Sequence, residues 1–600
     1  MTKEPNSGLK ETIDLHNFNN AMKSANVNDN SNKPENNFHL PIHYIKKKYE
    51  LDETTIKDLE LIKTNDKLSL YNYAINPTTK FANSVLPLWA KYYTSDKKFL
   101  KDTQRLLKNF KNTIAFESDT EKAYSCWQKV HEETSFRNKY HYLDFKILEK
   151  LNENRYFLEV FSLYNLTTPL ITLVLPIALL IIPFFIIKIT GKQITIPLYV
   201  NLLKRLFRKH SLGEIISGNY SDNTLQRNVY LAFSFFLYLF QVYQNILSCI
   251  QFYKNVTFIH ETIFSLRNHY DSVVRSMDNL LKYTSNLKTY APFNKIVMKH
   301  KETIVKLNQE LHVITPCRLT IKKSLQLGHV MEIFYSLYHN KEYKLATEYS
   351  FKFTGWLENI DGIKKSIDNN TIGFCKFSKN STNFEDAYFP PTIETKSVTN
   401  TYNLNKNMLI TGPNAAGKTT LLKTTLFNII ISQQIGCGFY SHANVCLFDK
   451  IHCYINIPDT SNRDSLFQAE ARRCKDILTD ILCMPKLRHF CIFDELFSGT
   501  NPYEAISSAV SFLDYLNKQN NTSFILTTHF LDLCKQLESD DKIINHNMKI
   551  ETGDNEEFKY TYKLDTGICN IKGGIKVLKQ LNYPAEIIRN TEKIIDGLKL

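Results

Sequence analysis

Residues 408–422 read MLITGPNAAGKTTLL, which is an apolar strand, a glycine-bounded loop and the start of a helix. Gly412 and Gly417 bracket four residues ahead of Lys418 and Thr419, as in the phosphate-loop pattern GxxxxGK[ST]. In such a loop the backbone N–H groups turn inward, and the positive end of the following helix adds to their field. The segment therefore predicts an α/β fold that binds a nucleotide.

The pattern assigns a task to the side chains of this loop. Lys418 is expected to reach the β- and γ-phosphates of ATP, and Thr419 to be a ligand of Mg²⁺. The residues predicted to bind the nucleotide are Gly412, Pro413, Asn414, Ala415, Ala416, Gly417, Lys418, Thr419 and Thr420.

Two later apolar segments end in side chains suited to hydrolysis. The first, HFCIFDE at 489–495, delivers Asp494 as a second Mg²⁺ ligand and Glu495 as the general base that polarises water. The second, FILTTH at 524–529, ends in His529, which can sense the γ-phosphate or position its water. We predict Glu495, His529 and Lys418 as the catalytic residues. The alternative is two solvated acids and a hydrogen-bonded histidine at ordinary strand ends.

The segment RDSLFQAEARRCKDIL at 463–478 opens a helix. Ser465 fits the N-cap position, and Gln468 fits the partner position of a capping box. A second interpretation gives this helix start a functional role, in which Ser465 faces a γ-phosphate bound by another subunit. The nucleotide site would then be complete only in a dimer.

These motifs, taken in order, resemble the ATPase domain of the MutS family of DNA mismatch-repair proteins. GPNAAGKTT is similar to the family's GPNMGGKST, DSLFQAE to its STFMVEM-type signature, FDELFSGTNPYEA to MDEIGRGTSTYDG, and TTHF to ATHY. The resemblance covers about 383–600, including the glycine-punctuated tail. It implies ATP and Mg²⁺ as cofactors, ATP hydrolysis by a homodimer and a DNA partner. It also implies that Tyr388 or Phe389 stacks on adenine.

A second stretch resembles the opening of the family's core domain. LDETTIKDLELI at 51–62 and SLYNYAINPTTKFANSVLPLWA at 69–90 carry this likeness, and the helical segment before residue 373 then corresponds to the returning lever arm. Fewer than 50 residues precede the core domain, which is too few for the family's mismatch-reading and connector domains. Direct mismatch recognition is therefore not expected.

Two apolar runs occupy the interval in which the family carries its DNA clamp. They are PLITLVLPIALLIIPFFII at 169–187 and VYLAFSFFLYLFQV at 229–242, and a basic segment with Lys204, Arg205 and Arg208 separates them. Both runs could cross a membrane, which places the basic segment against the positive-inside tendency. They could also dip into one leaflet as a proline-kinked hairpin, or form a buried pair of core helices.

Net charge and cysteine content restrict the possible binding partners and the compartment only slightly. The net charge of +14 is suited to nucleic acid or an anionic membrane face, although a general lysine bias also explains it. Twelve cysteines without a CxxC pair indicate free thiols in a reducing, intracellular compartment, with the ATPase domain in the cytosol or nucleus.

The predicted fold class is α + α/β, a helical core and lever arm followed by a phosphate-loop ATPase domain of ABC/MutS type. The predicted divisions are a disordered tail 1–40, a helical core 41–155, an apolar insertion 156–253, lever helices 254–372 and the ATPase domain 373–600. The predicted function is a MutS-like DNA-binding and repair ATPase. The alternative is a membrane-tethered ATPase that does not act on DNA.

Overall fold

The structure is a computed structural model. It describes residues 38–597, except 63–67, 112–117, 192, 194, 208–224, 316–325, 396, 456–464, 553–557, 570–574, 576–577 and 580. The predicted tail 1–40 therefore lies almost entirely outside the described residues.

The amino-terminal half is mainly helical. Its helices are α1 (Glu53–Asp58), α2 (Leu70–Ile75), α3 (Lys80–Trp89), α4 (Lys97–Asn109), α5 (Ser118–His131), α6 (Phe136–Lys139), α7 (Arg155–Ile189), α8 (Ile196–Phe207), α9 (Leu225–Thr284), α10 (Ala291–His312), α11 (Leu327–His339) and α12 (Lys341–Asp368). A small antiparallel sheet of β1 (Lys48–Glu50) and β2 (Tyr92–Thr94) also lies here, in a region that the three- and four-residue spacing predicted as mostly helical.

Helices α7 and α9 contain the two apolar runs and pack along each other. Helix α7 continues through Pro176 and Pro183, and α9 is a single helix of 60 residues. The division predicted after residue 253 falls inside α9, so the apolar insertion and the start of the lever share one helix. Apolar side chains of both runs are exposed, which contradicts the alternative of a buried core pair.

The carboxyl-terminal half alternates strands with helices. Its strands are β3 (Gly373–Ser378), β4 (Asn383–Ala387), β5 (Asn400–Asn403), β6 (Asn407–Thr411), β7 (Cys437–Gly438), β8 (His442–Cys446), β9 (Lys450–Tyr454), β10 (His489–Asp494), β11 (Thr522–Thr528), β12 (Ile543–Thr552) and β13 (Phe558–Thr566). Its helices are α13 (Lys418–Ile435), α14 (Leu466–Cys483), α15 (Pro502–Asn517), α16 (Leu531–Leu537) and α17 (Ala585–Gly597).

The larger sheet has the order β13-β12-β6-β11-β10-β9. Strands β12, β6, β11, β10 and β9 are parallel, and β13 is antiparallel to β12. The carboxyl ends of parallel strands meet at one edge, where ligands bind in open α/β sheets. The phosphate loop follows β6, Glu495 follows β10 and His529 follows β11, so this edge brings the predicted site residues together. The smaller sheet has the order β5-β4-β8-β3-β7.

Helix α13 joins the two halves of the molecule. It is buried along most of its length, which is typical of a helix at the centre of a fold. Gln434 Nε2 donates to the carbonyl oxygens of Trp89 and Tyr92 at 2.6 and 3.0 Å, and Gln433 Nε2 donates to Thr94 O at 3.0 Å. The helix that begins at the phosphate loop is thus bonded at its other end to the helical half.

Candidate active site

The loop between β6 and α13 has the backbone shape of an anion cradle. Gly417 precedes the helix with φ +97°, and Ala415 also lies in the left-handed region with φ +64°. A β-carbon is unfavourable in that region, so Ala415 holds a conformation that a glycine would adopt without strain. Ala416 is buried, whereas Asn414 is exposed at the tip of the loop. Such strained backbone is typical of ligand-binding turns.

Lys418 is the buried cation of this loop. Its Nζ donates to Gly412 O at 2.9 Å and to Pro413 O at 3.3 Å, and it lies 3.1 Å from His529 Nε2. Burial lowers the pKa of Lys418, and the nearby carboxylates of Glu495 and Asp494 partly oppose that shift. The ammonium is therefore held over the loop, facing the two acids.

Thr419 and Asp494 bring two oxygen donors to one point. Thr419 Oγ1 donates to Asp494 Oδ2 at 2.7 Å, and Thr527 Oγ1 donates to the other carboxylate oxygen, Oδ1. A hydroxyl and a carboxylate are the hard oxygen ligands that Mg²⁺ binds, together with water and nucleotide phosphates. The residues present therefore fit a magnesium ion at this position.

Glu495 follows the end of β10 in a left-handed backbone conformation with φ +52°. Its amide donates to Thr527 O at 3.0 Å, so β11 holds this turn in place. Its Oε1 lies 2.9 Å from His529 Nε2. The hydrogen bond from His529 lowers the pKa of Glu495, and the charges of His529 and Lys418 lower it further. Glu495 is therefore kept as a carboxylate, which is the form that accepts a proton.

His529 lies between the acid and the cation. The same atom, Nε2, approaches both Glu495 Oε1 and Lys418 Nζ. A ring nitrogen either donates or accepts, so it serves one of the two bonds at a time. Its position next to the phosphate loop and the predicted base suits a residue that responds to the γ-phosphate.

Ser465 forms the capping box that the sequence predicts. Its Oγ accepts from Gln468 N at 3.3 Å, and its amide donates to Gln468 Oε1 at 3.0 Å. Within the described part of the chain, no hydrogen bond joins Ser465 to the phosphate loop of the same subunit. Ser465 is exposed at the start of α14 and is open to contact from outside.

Glu470, one turn further along α14, was not predicted as a site residue. Its buried carboxylate accepts from Ser498 N at 3.1 Å, Ser498 Oγ at 3.0 Å and Gly499 N at 3.1 Å. A β-carbon at Gly499 would lie 2.7 Å from Leu466 Cγ, so this loop also packs directly on the helix. The loop after Glu495 and the helix that begins at Ser465 are therefore bonded to each other.

A cavity of about 300 Å³ lies beside the phosphate loop. It is lined by Ala387, Tyr388, Phe389, Thr392, Val398, Asn400, Gly417, Thr420, Leu421, Thr424, Met548 and Tyr562. Both candidates for adenine stacking therefore line the cavity. Tyr388 donates its hydroxyl to Thr371 O at 2.6 Å, and burial raises its pKa to about 12. The Phe389 side chain has no polar group that could fix its ring by a hydrogen bond, so Phe389 is the better stacking candidate of the two.

Besides Glu470, other contributors to this site escaped the sequence reasoning, among them Thr527, Met548 and Tyr562. Thr527 pairs with Asp494 in the parallel register of β10 and β11, so aligning the two predicted strands could have revealed it. Met548 and Tyr562 reach the cavity from β12 and β13. The sequence carried no signal for them, because their contribution depends on how distant strands are ordered in the sheet.

Comparison with known proteins identifies the carboxyl-terminal region. Residues 408–599 match the family model of MutS domain V. The chain is 30% identical over 195 residues to the DNA mismatch repair protein MutS of Bacteroides fragilis (strain YCH46), covering 32% of this chain and 22% of that protein. It is 30% identical over 196 residues to MutS of Parabacteroides distasonis, covering 32% and 22%, respectively. It is 31% identical over 192 residues to MutS of Orientia tsutsugamushi, covering 31% and 21%. The chain thus spans about a fifth of the length of these relatives.

Proposed function

Since the chain belongs to the MutS family through residues 408–599, we propose that it binds ATP with Mg²⁺ and hydrolyses it as a dimer. The observation that carries the proposal is the cluster at the carboxyl edge of the larger sheet. There His529 lies within hydrogen-bond distance of both Lys418 and Glu495, beside the Thr419–Asp494 pair. This cluster supports a phosphate-loop ATPase arrangement of ABC/MutS type.

Each group then has a chemical task. The backbone of 412–420 and Lys418 bind the phosphates, and Thr419 and Asp494 would hold Mg²⁺. When bound, the ion neutralises charge on the β- and γ-phosphates. Glu495 accepts a proton from the attacking water, and His529 orients Glu495 and responds to the γ-phosphate. Phe389 or Tyr388 stacks on adenine.

We propose a dimer because Ser465, within the described residues, makes no hydrogen bond to the phosphate loop of its own subunit. Ser465 is exposed, and its helix presents backbone N–H groups that favour an anion. Glu470 bonds this helix to the loop that follows Glu495. A γ-phosphate bound by one subunit and met by Ser465 of the other would thus couple the two sites.

The target of this ATPase has two candidates. The curated relatives are named DNA mismatch repair proteins, so action on DNA is the first. The exposed apolar surface of α7 and α9 favours a second, a membrane-tethered ATPase that does not act on DNA. One described stretch, Arg155–Val174, is long and apolar enough to cross a membrane, and only 11% of it is buried. In either case we propose an intracellular protein with the ATPase domain in the cytosol or nucleus.

Dimerisation is tested with Glu495→Ala, which should bind ATP without hydrolysing it. Sedimentation of this variant with Mg²⁺ and ATP should give a dimer, whereas ADP should give a monomer. Adding Ser465→Ala should weaken the pairing without weakening ATP binding by the monomer. Pairing that is the same in ATP, ADP and nucleotide-free buffer would contradict the proposed closure.

The DNA candidate has its own test. DNA binding through Lys and Arg should weaken steeply as salt rises, because phosphate contacts release counterions. A titration of duplex and branched DNA between low and physiological salt measures this slope. DNA binding too weak to detect at low salt would rule out DNA as the target and leave the membrane-tethered alternative.

A further inference from the structure

We infer that α7 and α9 cross a lipid bilayer completely, side by side, and that α9 carries the chain from the bilayer directly into the lever. This inference deepens the membrane-tethered alternative. It does not depend on ATP hydrolysis, since it rests on the surface of the hairpin alone. It also decides between the two topologies, a full crossing and a loop within one leaflet, that the sequence left open.

Three polar contacts join the two helices of the hairpin across the seam between them. Asn245 Nδ2 donates to Thr172 Oγ1 at 2.6 Å, and Cys249 Sγ lies 3.5 Å from Leu166 O. Tyr238 OH donates to Thr172 O at 3.3 Å. That carbonyl lies four residues before Pro176, which has no N–H to donate to it. The carbonyl that proline frees is thus bonded by the other helix, as hydrocarbon surroundings require.

The outward faces of the same helices are mostly apolar, although Gln241, Gln244 and Ser248 of α9 are also exposed. On α7, Leu170 and Phe185 are 63% and 55% exposed, and on α9, Phe236 is 61% exposed. Further exposed apolar side chains are Ile171, Leu173, Val174, Ile181, Ile182, Phe184, Phe233, Phe235, Leu237, Leu239, Phe240, Ile246, Leu247 and Ile250. Water is an unfavourable solvent for so large a patch, and monomeric soluble proteins rarely expose one. Hydrocarbon is a solvent that suits it.

The lengths of the two charge-free stretches match each other and a bilayer. Residues 160–187 of α7 and 228–253 of α9 contain no Asp, Glu, Lys or Arg. At 1.5 Å per residue each helix stretch is about 40 Å long, against about 30 Å for the hydrocarbon core of a bilayer. An arm that entered a single leaflet would need only about half of a 20-residue span. A full crossing with some tilt therefore fits both arms.

The ends of the stretches lie in register. The contacts at Leu166 and Thr172 pair α7 with α9 in antiparallel fashion, and the same register brings Lys188 level with residue 227, in the first turn of α9. At the other end, Tyr164 and Tyr253 are exposed within about a turn of the Leu166–Cys249 contact. Tyrosines are enriched at membrane–water interfaces. The hairpin thus has a polar boundary at each end.

The second arm is continuous with the lever. Helix α9 leaves the charge-free stretch at Lys254 and continues without interruption to Thr284. Beyond the stretch, His269 Nε2 bonds Ser350 Oγ at 2.9 Å and Tyr270 OH bonds Thr347 Oγ1 at 2.7 Å, both on α12. A shift of the lever would therefore be delivered to the bilayer through one rigid element.

The crossing is tested by thiol labelling of the full chain inserted into preformed phosphatidylcholine liposomes. A Gln193→Cys variant places a thiol between α7 and α8, and native Cys483, which is exposed on the ATPase half, is the internal reference. A membrane-impermeant maleimide added outside should label Cys483 at once and position 193 only after detergent is added. The same reagent enclosed in the liposomes should label position 193, whereas a thiol held within one leaflet would stay unlabelled from both sides. Mass spectrometry of the two peptides gives both rates. Equal labelling of both positions in sealed liposomes would overturn the crossing.

Insertion itself is tested with a matched pair of lysine substitutions on α9. Phe236→Lys places a charge on the lipid-facing surface, whereas Thr257→Lys places one on the same helix beyond the charge-free stretch. Phe236→Lys should lower co-flotation with liposomes roughly tenfold or more, and Thr257→Lys should leave it unchanged. Equal co-flotation of both would overturn the inference. Lys418→Ala should leave the labelling pattern unchanged, so loss of nucleotide binding and loss of crossing are distinguishable.

Discussion

Two regions of the molecule bury opposite kinds of side chain. They are the carboxyl edge of the larger sheet, which we call the ATPase edge after its proposed function, and the hairpin formed by α7 and α9. At the edge, apolar strands such as β10 and β11 are buried, and their polar ends meet in a cleft that faces water. In the hairpin, polar groups such as Thr172 and Asn245 turn inward, and the apolar side chains face outward. The comparison teaches that an exposed apolar side chain is unfavourable in water but favourable in lipid, so its exposure has to be interpreted with the solvent of that region in mind.

Deletion of the hairpin should have the largest effect, because it should abolish membrane association and leave ATP hydrolysis intact. A variant lacking 160–250 rejoins α7 and α9 near the contact between Leu166 and Cys249, so the ends to be joined are close together. We expect nearly all of this variant to move from the membrane pellet to the soluble fraction and to keep ATP hydrolysis. The measurement is ultracentrifugation followed by an ATPase assay. A deletion variant that aggregates and loses nucleotide binding would assign the hairpin to the core.

Substitution of Lys418 should affect only the ATPase edge. Lys418→Ala removes the buried ammonium that we propose binds the phosphates, and we expect ATP affinity to fall roughly hundredfold, as for loss of a charged group in a preorganised site. Titration with a fluorescent ATP analogue measures this. Lys475→Ala, at an exposed position of α14, is the control and should bind normally. Normal binding by Lys418→Ala would contradict the assignment of the phosphate loop.

Substitution of Glu470 tests how the two halves of the edge are coupled. Glu470→Gln keeps the size of the side chain but weakens three hydrogen bonds to Ser498 and Gly499. We expect kcat to fall roughly tenfold, with unchanged ATP affinity of the monomer, because each charge-assisted bond is worth about 1.5–3 kcal/mol. Ser507→Ala, an exposed hydroxyl on α15, serves as the control. A parallel loss of ATP affinity would show a wider structural role instead.

A smaller effect is expected in the pH dependence of the edge. The hydrogen bond from His529 lowers the pKa of Glu495, so the bonded Glu495 carboxylate stabilises the fold above the ordinary glutamate pKa, and this contribution is lost as pH falls through the lowered value. In His529→Ala the pKa of Glu495 should rise, and the acid limb of the ATPase profile should move to higher pH. A pH–rate profile of kcat measures the shift. An acid limb at the same pH in His529→Ala would show that His529 does not lower the pKa of Glu495.

The sequence predicted more of the edge than of the hairpin, for a physical reason. Phosphate-loop chemistry depends on short, contiguous patterns, so β6, α13, the end of β10 and the capping box of Ser465 are all confirmed. The paired helices depend on contacts between residues far apart, such as Thr172 and Asn245, which no local pattern reveals. For the same reason the cavity residues Met548 and Tyr562 became apparent only in the folded chain.

The most direct test of the account is steady-state ATP hydrolysis by the full chain in detergent, measured with wild type beside Glu495→Gln. We predict turnover in the wild type that EDTA abolishes, and turnover at least about a hundredfold lower in the variant, with ATP binding retained in both. Equal turnover in the two proteins, or a wild type that binds no ATP, would contradict the central claim.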